Sequence, residues 1–440
     1  MRRRCWRCCD RPIKWGCPVA DDFLDPYDGN VLTSGLGAIL SIPEILAAHT
    51  HRPFCPPSMG DVPLHVRLHF LMSIRDLHMP PLEERRLSQT VSLLVRQGYH
   101  HRNPDAAATW GLVSGQAHRQ GILLPTACAG CVGGISGVGK TEACLRSLAC
   151  LPQVVRHERF PRLLGGLTQV TWQSVEVPPS GKAVHLARAL MEAWETTTGE
   201  RRFGDWLDKD TIRDGVRALD EWRQVATGRF LGLLHLDEIQ NLFKLQNLRQ
   251  RRTRKGASEL PELSIVEDQA LRWILQLTNT AHIPLLVSGT PDGIGALSKR
   301  LSTLQRLNSF GYHEFNPIAF IPEQNPPGGS WMSVLGQYQY VKNPLTMDDE
   351  VVRLIIDLTG GVQRLIIALW FAAHRVAFER DSDDLRKEDF TTAATTWLAP
   401  LIPAVAALRS RDPEKMARYH DLVPHDAAFW TSFWGRAAAP

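Results

Sequence analysis

Gly134-Ile135-Ser136-Gly137-Val138-Gly139-Lys140-Thr141 stands between an apolar run and the helical pattern Glu142 to Leu148. The octet matches G-x-x-x-x-G-K-[ST], and a preceding strand with a following helix is the context in which that spacing binds phosphate. Gly134, Gly137 and Gly139 let the backbone curl. Successive N–H groups, those of Ser136 and Val138 among them, then face phosphate oxygens together with the N-terminus of the following helix. Lys140 adds a positive charge at the β and γ phosphates, Thr141 places a hydroxyl on Mg2+, and Glu142 continues the helix beside them. A glycine-rich turn that merely packs would leave Lys140 and Thr141 without a purpose. The expected ligands are ATP and Mg2+.

Downstream, Phe230-Leu231-Gly232-Leu233-Leu234-His235-Leu236-Asp237-Glu238 is an apolar strand ending in two carboxylates. Asp237 is placed to hold the water shell of Mg2+, and Glu238 to orient or activate the water that attacks the γ phosphate. The pair argues for hydrolysis. A further strand, Pro284 to Val287, ends in Ser288-Gly289-Thr290-Pro291-Asp292, where Thr290, with Ser288 as the alternative, would reach the γ phosphate. Gly289 and Pro291 would produce a turn there in any case. Arg300 and Arg306 lie in a helical stretch beyond. An arginine aimed from there at a neighbouring subunit's γ phosphate would complete the site on assembly. Arg364, in Thr359-Gly360-Gly361-Val362-Gln363-Arg364, opens a later helix and is placed to contact nucleotide within its own subunit. A solvated helix face is the alternative reading of each arginine.

The 440 residues are 44% hydrophobic, 22% charged and 8% aromatic, which suits a large buried core in two or three domains and excludes a disordered or collagen-like chain. Lys and Arg number 50 against 46 Asp and Glu, a net charge of +4. That is too mild for a histone-like binder, so nucleic acid would be met by local basic patches. The long uncharged stretch Gly121 to Val138 contains Pro125 and runs into the phosphate loop, so no membrane span is read. Cysteines and arginines follow Met1-Arg2-Arg3-Arg4 where a signal peptide needs an apolar core. Nine cysteines scattered from Cys5 to Cys150 make no disulfide framework, and a reducing cytoplasm is expected.

Residues 1–105 read as an irregular N-terminal arm with one helix, Leu82 to Gln97. Apolar runs at Ala127 to Val132, Gln169 to Val177, Phe230 to Leu236 and Pro284 to Val287 then alternate with amphipathic helices, the pattern of a parallel sheet covered on both faces. This α/β core is assigned to 106–320. Beyond the Pro-rich break Pro317 to Pro327, helices at Asp348 to Leu358, Val362 to Ala377 and Lys387 to Trp397 make a small helical lid, 321–400. Residues 401–440, with Phe429, Trp430, Phe433 and Trp434, read as a C-terminal tail carrying a docking patch.

The order of phosphate loop, Asp237-Glu238 strand, Ser-Gly-Thr strand end, arginine-bearing helix and helical lid resembles the AAA+ ATPases over about Gly121 to Leu398. Within them it is most similar to the TnsC, TniB and MuB family of transposition regulators, TnsC above all. The residues that carry this are Gly98-Tyr99-His100-His101-Arg102-Asn103-Pro104, Gly133 to Thr141, His235-Leu236-Asp237-Glu238-Ile239-Gln240 and Ser288-Gly289-Thr290-Pro291. The resemblance implies a slow, regulatory AAA+ ATPase in the bacterial cytoplasm. It would assemble with ATP on double-stranded DNA as a ring or helical filament of roughly six or seven subunits per turn. It would also receive a target-selection protein of the TnsD/TniQ kind and recruit and activate transposase subunits. The N-terminal arm and the tail are the expected partner contacts. Alternatives are an initiator-like DNA-bound AAA+ protein, for which the segment after Leu401 is short of a winged helix, and a signalling or scaffold ATPase that never touches DNA.

On the family reading, pore loops contact DNA. Lys244 to Lys255 carries Lys244, Arg249, Arg251, Arg252, Arg254 and Lys255 without an acid, and the turn Pro178 to Lys182 adds Lys182. Both would neutralise phosphates without reading bases, and both would also serve as solvated loops. Cys5-x-x-Cys8 with Cys9 and Cys17 suggests a zinc knuckle but lacks a second pair at ribbon spacing. Cys128-x-x-Cys131, on the strand feeding the phosphate loop, reads as core packing.

Overall fold

The computed structural model describes residues 25–54, 59, 62–114, 126–208, 212–245, 263–297, 305–322 and 328–410. Its central sheet has five parallel strands, β1 (Ala129–Gly134), β2 (Trp172–Glu176), β3 (Leu233–Asp237), β4 (Leu285–Gly289) and β5 (Tyr312–Phe315). Their spatial order is β2-β3-β4-β1-β5. The inner strands β1, β3 and β4 are buried along their whole length, as strands covered on both faces must be. The edge strands alternate instead.

Two departures from the sequence pattern have local causes. The run Gln169 to Val177 is not one strand. Leu167–Val170 turns away to pair antiparallel with Val154–His157 in a separate ribbon, and only β2 enters the sheet. Thr171 makes the break, its N–H donating to Gln153 O at 2.9 Å. β5 carries no apolar run because its inward residue His313 is polar. His313 is satisfied from outside the strand, with Nδ1 2.7 Å from Glu83 Oε1 and Nε2 3.0 Å from Thr90 Oγ1.

One face of the sheet is covered by α1 (Leu82–His100) and α2 (Lys140–Ala149). There Leu87, Val91, Leu94 and Leu148 pack with Val132, Leu233 and Leu286. The other face takes α3 (Ala183–Thr198), α4 (Gly215–Gly228) and α5 (Asp268–Gln276). Trp194, Trp222 and Trp273 from these three helices meet edge to face, with ring centroids 6.2 and 6.0 Å apart. Such pairs add about 1 kcal/mol each beyond the area they bury.

Within the stretch read as an irregular arm, the described residues 25–54, 59 and 62–105 include helices that belong to the core. α1 lies on the sheet, and Leu71, Ile74 and Leu77 enter the hydrophobic cluster of the lid. Tyr99 Oη donates to Phe230 O at 2.9 Å and Arg102 Nη1 to Leu231 O at 2.9 Å, so the Gly98-to-Pro104 motif clamps α1 to the start of β3.

The lid contains α6 (Asp349–Thr359), α7 (Gln363–Phe378), α8 (Lys387–Thr396) and α9 (Ile402–Ser410). Residues 402–410, expected in the tail, are therefore a helix, and Val405 and Leu408 are buried in it. Core and lid meet at Gly361, whose N–H side is fixed at φ +72° and whose added Cβ would lie 2.0 Å from Ile318 O. At the lid centre His374 Nδ1 donates to Trp370 O at 2.8 Å and Nε2 accepts Tyr340 N–H at 3.3 Å, which requires a neutral imidazole. Burial lowers its pKa from 6.5 to about 4.

Above pH 6.5 folded and unfolded chains both hold this histidine neutral. On acidification the unfolded chain takes up the proton first, so stability is lost as pH falls toward 4, by up to about 3 kcal/mol from this group. Melting curves between pH 7 and 4.5 are expected to show a steeper acid loss in the wild type than in His374→Asn. Equal slopes would remove His374 as a cause.

Candidate nucleotide site

The loop between β1 and α2 is shaped by Gly137 and Gly139 at φ +86° and +93°, a region open to glycine and costly for a side chain. Lys140 is thereby brought inside. Its Nζ donates to Ile135 O at 3.0 Å and the residue is only 6% exposed. Burial lowers the Lys140 pKa, with Glu238 and Asp237 pulling the other way.

Thr141 Oγ1 donates to Asp237 Oδ2 at 2.6 Å, which joins the end of the loop to the end of β3. Ser288 Oγ, on β4, donates to Asp237 Oδ1. His235 Nε2 lies 2.8 Å from Ser288 Oγ, and His235 Nδ1 2.8 Å from Ser174 Oγ. Since the Ser288 hydrogen is committed to Asp237, Nε2 must be the donor to Ser288 and Nδ1 the acceptor from Ser174. Burial lowers the His235 pKa to about 4, in keeping with that neutral ring. Sequence reasoning missed His235 and Ser174. The available signal for His235 was a polar residue inside an apolar run, whereas Ser174 lies between Gln173 and Glu176 in a strand of mixed polarity that does not single it out.

Glu238 follows with φ +54°, an uncommon left-handed turn for a non-glycine residue, and its Oε2 accepts from Gln240 Nε2. Gln240 Oε1 in turn accepts Thr290 N–H at 3.1 Å. Gly289 and Gly293 leave room for this glutamine, since added Cβ atoms would lie 2.7 Å from Gln240 Oε1 and 2.6 Å from its Cβ. Burial, and then Asp237, raise the Glu238 pKa. The Thr290 hydroxyl donates to Asp292 Oδ1, so of the two candidates at this strand end it is Ser288 that touches Asp237.

The lid closes over the loop from above. Arg364 N–H donates to Gly137 O at 3.2 Å, and the Arg364 side chain is exposed beside a cavity of about 1010 Å3. Gly137, Gly139, Glu142 and Arg146 line it on the loop side, Arg364 and Trp397 on the lid side. This volume accepts a nucleoside whose phosphates lie along the loop. The Thr141 hydroxyl and Asp237 carboxylate form a hard oxygen pair that fits Mg2+. Among the described residues no group of three His, Cys, Asp or Glu side chains is arranged to hold a metal. Cys5, Cys8, Cys9 and Cys17 lie outside them. Cys131 is buried, its thiol pushed up by burial, in keeping with packing, while Cys128 is half-buried.

Of the arginines, Arg306 is exposed just before β5 and Arg300 lies outside the described residues. Lys182 is exposed at the N-cap of α3. Its neighbour Gly181 approaches Asn241 O and Val266, at the base of the antiparallel pair Phe243–Leu245 and Leu263–Ile265 that contains the backbone of Lys244. Arg249, Arg251, Arg252, Arg254 and Lys255 lie outside the described residues.

A parallel sheet in this strand order, with the glycine loop leading from β1 into α2 and two acids ending β3, defines a P-loop NTPase fold. Residues 126–296, less than half of the chain, match the family model of the AAA domain. No curated protein matches the chain. Among solved structures, the Orc1 protein of Aeropyrum pernix in complex with DNA is similar at 16% identity and TM-score 0.43, over 77% of this chain and 72% of that one. Drosophila ORC bound to DNA is similar at 16% identity and TM-score 0.40, over 83% and 73%. A Walker-type ATPase of Pyrococcus abyssi follows at 11% identity and TM-score 0.35, over 71% and 79%. No single helix among the described residues is long and apolar enough to cross a membrane.

Proposed function

We propose that this protein is an ATP-dependent DNA-binding regulator of transposition, similar to TnsC, that oligomerises on double-stranded DNA and links target selection to the transposase. The observation that carries the coupling of ATP to DNA is one of chain geometry. Glu238, at the nucleotide, is followed by the turn Ile239–Leu242 and then directly by the strand of Lys244, and the Lys182 turn packs at the base of the same hairpin. A change at the γ phosphate therefore has a short path to both basic segments.

In this reading the loop from Gly134 to Thr141 and the first turn of α2, with Glu142, hold ATP, and Thr141 and Asp237 hold Mg2+. A Mg2+ ion held there would supply positive charge against the phosphates. Lys140 binds the same oxygens, Glu238 accepts the proton of the attacking water, and Thr290 and Arg364 read the nucleotide's state. Arg300 or Arg306 reaches the site of a neighbouring copy. Lys182, Lys244, Arg249, Arg251, Arg252, Arg254 and Lys255 meet the DNA backbone, so binding weakens steeply with salt.

The test is negative-stain microscopy of the full chain with duplex DNA at low and moderate salt, comparing a slowly hydrolysed ATP analogue with ADP. Rings or filaments on DNA that need the triphosphate are expected. ATP binding without any DNA-bound assembly would instead favour a scaffold ATPase.

A further inference from the structure

Cys150 caps the C-terminal end of α2, the end opposite the phosphate loop. Its Sγ lies 3.2 Å from His49 Nε2, and His49 Nδ1 lies 2.7 Å from Glu84 Oε1. The same carboxylate oxygen accepts from His78 Nε2 at 2.8 Å. Burial opposes ionisation of Glu84, yet the hydrogen bonds from His49 and His78 hold its carboxyl below the usual range. An ionised carboxylate only accepts, so Nδ1 of His49 carries a hydrogen and Nε2 is left facing the thiol. His49 and Glu84 are each 1% exposed. Burial alone would lower the pKa of His49, but Cys150 and Glu84 outweigh it and raise it to about 9. This is the order of nucleophile, base and orienting carboxylate that activates a cysteine.

Cys150 is the most exposed residue of the three. Cys150 is half-buried on a cavity of about 360 Å3, which Ser88, Ser92, Arg96 and Ser147 also line. Ser88 Oγ donates toward Sγ at 3.9 Å. Ser147 is 1% exposed and its Oγ has no hydrogen-bond partner among the described residues. A buried hydroxyl without a partner costs free energy unless a ligand oxygen satisfies it, and here it borders the same small cavity as the thiol.

We propose that Cys150 is a modification site at which His49 takes the thiol proton and the sulfur attacks a small hydroperoxide. The sulfur electron pair forms an S–O bond to the terminal oxygen while the O–O bond breaks. The leaving alkoxide or hydroxide recovers the proton from His49 and departs as alcohol or water. Sulfur is oxidised to the sulfenic acid and the peroxide is reduced, with no further reactant. Glu84 and His78 also line the cavity given above to the nucleoside, whereas Cys150 and His49 do not, so the reactivity of Cys150 is read separately from ATP hydrolysis.

The test uses the full chain at pH 7, with limiting hydrogen peroxide and dimedone, and separately with iodoacetamide, each read by peptide mass spectrometry. Cys128, also half-buried, with its thiol pushed up by burial, is the internal reference. Cys150 is expected to alkylate at least about tenfold faster than Cys128 and to carry the dimedone adduct. His49→Gln, folded as judged by its melting curve, is expected to bring Cys150 down to the rate of Cys128. The wild-type comparison needs no variant, and a Cys150 no faster than Cys128 overturns the proposal. So does a fast Cys150 whose rate survives in folded His49→Gln.

Discussion

Glu238→Gln is expected to bind ATP as the wild type does and to release phosphate at least about a hundredfold more slowly, the loss typical when a general base is removed. The amide keeps the shape of the carboxylate but cannot take a proton. In the wild type, burial and the neighbouring Asp237 raise the Glu238 pKa, which makes the carboxylate a better base than a solvated one. Replacing one of two adjacent acids also relieves like-charge repulsion, so the fold should not suffer. With nucleotide retained and turnover stalled, the proposed function further requires DNA-bound assemblies to grow longer. Phosphate release and binding of a fluorescent ATP analogue, measured on one preparation, check this. Normal turnover would show that the base lies elsewhere.

Lys140→Ala is expected to weaken ATP binding by roughly tenfold to a hundredfold, the range of one lost charge-assisted hydrogen bond of about 1.5–3 kcal/mol. The ammonium is held inside the loop, 6% exposed, so its desolvation is already met before nucleotide arrives. Without it the buried Asp237 and half-buried Glu238 face the triphosphate without the ammonium that offsets them in the wild type. Titration calorimetry with ATP and with ADP should show the larger loss for ATP. An unchanged affinity for both would mean that Lys140 serves only to tie down Ile135 O.

The acid-linked stability from His374, the peroxide reaction at Cys150 and these two variants probe different parts of the molecule. His374, Cys150, Lys140 and Glu238 make no hydrogen bond to one another, and each is read by a different measurement, so their outcomes are separable.

Much of this was legible from the chain alone. Gly137, Gly139, Lys140 and Thr141 have to be adjacent in sequence to build a phosphate loop, because the loop's geometry is local. The strand ending in Asp237-Glu238 and the helices Asp349–Thr359, Gln363–Phe378 and Lys387–Thr396 also declare themselves, because burial on both faces or on one stripe writes a periodic pattern. The tertiary structure decided whatever depends on partners far along the chain. β5 is a strand because Glu83 and Thr90 satisfy His313. The described part of the N-terminal stretch joins the core because α1 finds an apolar sheet face and Leu71, Ile74 and Leu77 find the lid. Asp237 is oriented through Ser288, His235 and Ser174, polar residues that look like interruptions until three strands are in register. Local backbone chemistry is encoded in neighbouring residues, whereas a buried polar side chain acquires its meaning only from the distant group that accepts or donates its hydrogen.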